Sequence, residues 1–150
     1  MSVNYLTILI SPERQEVDIM LNKLINSIVT VAGVKVVNTT PHAINMVTSD
    51  LTVQVAVPAS GVLINAKPIA VPVDSGIVGV QFQRTSFDAD ADTMDVLKAF
   101  KAQHPDVVVI GSLIAAQAYP GLVVAMVAHP DFARVAPADK KMLIDTYTVY

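Results

Sequence analysis

The chain has 150 residues, no cysteine and a formal net charge of -3 at neutral pH, which excludes disulfides, thiolate chemistry and sulfur-ligated zinc or iron–sulfur centres. Its ten basic residues are scattered, with Lys140-Lys141 the only adjacent pair, so nothing in the pattern is suited to a nucleic-acid backbone. Hydrophobic residues make up 53% and charged ones only 15%, against about 45–50% and about 25% in ordinary soluble domains; the excess fits a large core under a surface of Thr, Ser, Asn and Gln, and more readily apolar surface covered by further copies or by a partner.

Tyr5–Ile10 reads as a first strand, apolar on both faces and therefore suited to the middle of a sheet. No basic stretch precedes it and Glu13, Arg14 and Glu16 follow closely, so the pattern is not that of a signal peptide and the expected location is the cytoplasm or a virion. No apolar run reaches the roughly 18 residues of a membrane span. Ser11-Pro12 then starts a helix, with a hydroxyl to cap the first turn and a proline where a missing N–H costs nothing. Val17, Met20, Leu21, Leu24, Ile25 and Ile28 recur at helical spacing, and the spacing predicts a helix over about 12–30 with Gly33 as its C-cap. Val29-Thr30-Val31, β-branched throughout, favours an extended end instead. Val34–Val37 follows as a strand.

Residues 36–83 form a β-rich segment in which only Asp50, Lys67 and Asp74 carry charge. Leu51–Val57, Gly61–Ile64 and Ile77–Phe82 read as strands of a meander, with turns at Pro58–Gly61 and Pro72–Gly76. Pro68 and Pro72 make Ala66–Val73 an edge or an irregular loop. Beyond them, Asp92 with Asp95 predicts a capped helix to about Gln103, carrying Val96, Leu97 and Phe100 on its apolar side. Val107–Ile110 is a buried strand, Ser112 caps a short helix over Leu113–Ala118, and Leu122–Val127 is another strand. Pro137–Asp145 reads as a last short helix and Thr146–Val149 as an edge strand. One domain over 1–150 is expected, of α+β class with an α/β-like arrangement. Its mixed sheet should have five to seven strands, packed by two main amphipathic helices and one or two short ones.

No cluster reads as a catalytic, cofactor or metal site. Asp88-Ala-Asp-Ala-Asp92 has oxygen ligands at alternate positions, as a calcium loop does, but Thr93 stands where the loop glycine belongs and Ala99 where the closing glutamate belongs. His104-Pro-Asp106 and His129-Pro-Asp131 share the tripeptide of the chaperone-stimulating J-domain. An apolar run follows the first copy and no basic helix precedes it, so both read as turns. His42 follows a strand, where chemistry is often placed in α/β proteins. Ser112 lacks the flanking glycines of a nucleophile elbow. An anion could still sit at the helix start after Gly111.

The short, weakly charged composition with its β-rich middle resembles that of small virion and tail-assembly subunits of bacteriophages, a likeness of composition that involves no motif. It implies a non-catalytic structural or assembly subunit of a homo-oligomer, with protein partners, no cofactor, no nucleic acid and no membrane. The alternatives are a small α/β enzyme with its site at strand ends and a binding module for a small molecule or peptide.

Overall fold

The computed structural model describes residues 12–150; the expected strand Tyr5–Ile10 and the Ser11 cap lie outside the described residues. Helix α1 (Pro12–Asn26) buries Leu24 completely, and Leu21 and Ile25 pack half-buried beside it. It ends earlier than its apolar spacing predicts. The Ser27 hydroxyl donates to the Lys23 carbonyl at 2.7 Å, satisfying an acceptor that the last turn leaves open. The β-branched run then becomes strand β1 (Val29–Val31). Gly33 is thus no helix cap: with Ala32 at φ 48° and Gly33 at φ 82°, the pair forms a tight left-handed turn into β2 (Val34–Asn38).

Strands β3 (Ile44–Val47) and β4 (Gln54–Val57) form the next hairpin. Residues 51–53 of the expected strand belong to its turn. Gly61–Ile64 is not a strand. Its backbone crosses the strand ends, where the Ile64 N–H donates to the Thr39 carbonyl at 3.2 Å and the Ser60 N–H to the Asn38 carbonyl at 2.9 Å, while Val62 and Ile64 are buried. Next come β5 (Lys67–Asp74) and β6 (Gln81–Asp88), then α2 (Ala91–Gln103), β7 (Val107–Gly111), the one-and-a-half-turn helix α3 (Leu113–Ala118) and β8 (Val124–Ala128). After two short 3-10 turns at Pro130–Phe132 and Pro137–Asp139, β9 (Met142–Thr148) follows.

Seven strands form one mixed sheet in the order β1-β2-β7-β8-β9-β3-β4. This is the α+β architecture expected, but residues 36–83 are not a meander, because β2 and β3 lie on opposite sides of the sheet and β5–β6 pair only with each other. The C-terminal segment also departs from expectation. Only Pro137–Asp139 turns, and Met142–Thr148 is an inner strand, parallel to β3 and antiparallel to β8. Met142 and Ile144 point to one face, which satisfies the sheet period of two rather than the helical period.

Alternation divides the core. Val37, Val107, Val109 and Ala125 face the helical side, where Leu24, Val96, Leu97, Phe100 and Tyr119 meet them. Val36, Ile110, Met126 and Ile144 face the other side with Val31, Met46 and Val57. Leu97 and Phe100 are fully buried, as the α2 pattern requires, whereas Ile28 lies outside α1 and is half-buried. Gly111 lets α3 leave β7 in close contact with the sheet: a Cβ there would lie 2.5 Å from Val123 Cγ1.

Candidate functional site

At the end of β2, Asn38 is buried and its amide is saturated. Nδ2 donates to the His42 and Val57 carbonyls at 2.7 and 3.2 Å, and Oδ1 accepts from the Thr40 N–H and hydroxyl at 2.9 and 2.6 Å. This fixes the turn that carries His42 onto the rim of a cleft of about 390 Å³, lined also by Lys140, Asn45 and Met126. Among the described residues no carboxylate lines that cleft, and its ionisable side chains are His42 and Lys140. The structure does not bring Ser112 to it: the Ser112 oxygen accepts from the Ala115 N–H at 3.0 Å and caps α3.

The other polar features also have structural partners. Asp90, not Asp92, caps α2, accepting from the Thr93 N–H at 2.9 Å and its hydroxyl at 3.0 Å. The helix therefore starts at Ala91, its third position is Thr93, and no second carboxylate completes a capping box. Asp88 ends β6, which separates it from Asp92 and Asp95. His104 ends α2 and stacks near Phe100, with ring centroids 5.3 Å apart. His129 is buried: Nδ1 accepts from the Asp131 N–H at 3.1 Å, so Nε2 carries the proton and donates to the Ser49 carbonyl at 2.8 Å. Among the described residues no group of three or more histidine or acidic side chains is placed to hold a metal ion. No described helix is long and apolar enough to cross a membrane.

In the β3–β4 turn, the Thr48 and Thr52 hydroxyls each donate to Asp50 Oδ1 at 2.7 Å, and the Thr52 N–H adds a third bond at 3.1 Å. These donors, Thr48 first, hold the Asp50 carboxyl down at about 2, below its ordinary 3.8. A depressed carboxyl stabilises the fold above its unfolded pKa and loses that contribution as pH falls through the folded one. The stability gap between wild type and Asp50→Asn should therefore be constant above about pH 4 and close as pH falls towards 2. Urea titrations at stepped pH measure it, and a gap that does not change over that window would contradict the assignment.

Among the described residues the two strands of the β5–β6 arm pair only with each other. Its eight paired positions run from Lys67↔Asp88 to Asp74↔Gln81, a ribbon about 26 Å long. Phe87, at its base, packs on the helical-side core. Beyond that, every residue of both strands is exposed except half-buried Val73. Register places Ile69, Val71, Val73 and Phe82 on one face with Arg84 and Ser86, and Pro68, Ala70, Pro72, Gln83 and Thr85 on the other. Val71 is 53% and Phe82 50% exposed, and the tip adds Ile77, Val78 and Val80.

The tip turns where the apolar run predicts a strand. The Val80 N–H donates to the Ile77 carbonyl at 3.1 Å, Gly79 takes φ 77° and Gly76 φ 71°, and the Ser75 hydroxyl donates to the Val80 carbonyl at 2.6 Å. The prolines have a definite place. Proline cannot join a pair that exchanges both backbone bonds, so Pro68 and Pro72 occupy the alternate positions whose nitrogens face away from β6. The outer edge of β5 is thereby denied two donors and resists uncontrolled strand addition. What the arm offers is its apolar face and tip.

No protein-family model, no curated protein and no solved structure matches the chain.

Proposed function

We propose that this chain is a non-catalytic subunit of a homo-oligomeric assembly, of the kind that builds a virion or its tail, and that its copies are joined through the β5–β6 arm. The observation that supports this reading is the exposed apolar face of the arm. A two-stranded ribbon is at best marginally stable alone in water, and contiguous apolar surface of this extent usually marks an interaction site. The low charge of the chain has the same direction. Among the described residues no carboxylate lines the cleft beside His42, the natural place for an enzyme's site.

Light scattering over a range of concentrations, joined to hydrogen exchange, tests the reading. The expected result is a mass several times the 16.0 kDa of one chain, with amides of residues 69–86 protected in the assembled species. A monomer at tens of micromolar with a rapidly exchanging arm would overturn it.

A further inference from the structure

A second exposed apolar feature lies elsewhere on the same chain. Between α1 and the Gly61–Leu63 crossing is a groove of about 290 Å³, lined by Ile19, Met20, Val62 and Leu63, with Glu16 and Lys23 on its rim. Ile19 is 57% and Leu63 51% exposed.

We infer that the arm of one copy docks in the α1 groove of the next, with Val71 and Phe82 entering the groove and Arg84 meeting Glu16. This rests on the assembly reading above and adds to it the two surfaces and the polarity of the contact. Three observations select a second copy as the occupant. First, the chain carries both halves of the contact, a projecting apolar ribbon and an apolar recess, and its own arm leaves both exposed. Second, the charges match at one end of the groove: Arg84 is the one charge among the mid-arm apolar residues and makes no ion pair with any described residue, while Glu16 stands on the rim with Glu13 one turn before it and Lys23 lies two turns further along α1. Third, a ribbon about 26 Å long has the reach to extend beyond the groove over α1, as an interface of the usual size, roughly 800 Å² per partner, requires. Because the two surfaces differ, the contact runs head to tail and propagates into a ring or a filament.

Complementation between two variants tests this directly. The arm variant carries Val71→Asp and Phe82→Asp; the groove variant carries Ile19→Asp and Leu63→Asp. All four side chains are exposed. Each variant alone should sediment as a monomer, and an equimolar mixture should form a species of two protomers and no larger, since only one competent arm and one competent groove remain. A groove variant that still assembles while the arm variant does not would mean arm-to-arm pairing and would overturn the inference while leaving the assembly reading intact. Assembly of both variants, or failure of the mixture to pair, would also overturn it. A wild-type monomer would remove both readings.

Should an aspartate variant fail to fold, Arg84→Glu and Glu16→Arg keep the question open to measurement. Each is expected to weaken association about tenfold and the double reversal in one chain to restore it. A double reversal no stronger than the single ones would count against the contact.

Discussion

Replacing Leu24 with alanine will lower the unfolding free energy by about 2–5 kcal/mol. Leu24 is the one residue of α1 that is fully buried, and it joins Val96, Leu97 and Phe100 in the helical-side core. Around it, Val17, Met20, Leu21 and Ile25 are only partly covered. Leu24 is therefore the deepest anchor of the helix, and its loss leaves a cavity that close-packed neighbours refill only in part. Against a total stability of about 5–15 kcal/mol for an ordinary domain, that is a large share. Urea unfolding should show a lower midpoint with little change in slope. An unchanged midpoint would mean that α1 does not dock through this face.

Asn38→Asp is expected to cost about 2–5 kcal/mol although it changes no volume. The substitution exchanges the Nδ2 donor for an oxygen that would face the His42 and Val57 carbonyls at hydrogen-bond distance. The buried Val57 carbonyl and the partly buried His42 carbonyl lose their donor, and a negative charge is placed where water does not reach. Among the described residues no buried side-chain nitrogen or oxygen lacks a partner, so the wild-type network has no slack to absorb the exchange. Asn38→Ala provides the comparison, since it removes the amide without adding charge. If the aspartate variant unfolds no more readily than wild type, the network contributes no stability.

Much of this architecture is legible in the periodicity of the residues. Val96, Leu97 and Phe100 mark α2, Val107–Ile110 marks a buried strand, and Ser112 marks the start of α3, because in each case local chemistry and tertiary position agree. Where they disagree, the sequence misleads. Met142-Leu-Ile-Asp145 accepts a helix, but a gap between β8 and β3 takes it as a strand, and β3 is far from it in sequence. Ile77–Phe82 has the apolar character of a strand, yet its first four residues are a loop tip. Composition cannot distinguish an apolar side chain facing its own core from one facing outward. The readable signals for the arm are Pro68 and Pro72 four apart, with Ile69, Val71 and Val73 at the alternating odd positions and Gly76 and Gly79 at the turn.

The placement of β9 has a consequence for how the chain reaches this form. Met142 and Leu143 pair with Met46 and Val47, so the β3–β4 hairpin emerges during synthesis roughly a hundred residues before the strand that ties it to the rest of the sheet. Without β9 the strand order leaves two sheet fragments, β1-β2-β7-β8 and β3-β4, with no pairing between them. Closing so long a loop has a high entropic barrier, and a chain cut or stalled before Met142 stays in that divided form. Unpaired strand edges add strands from other chains as readily as from their own. The interval before β9 arrives is therefore when this protein is most exposed to misassembly.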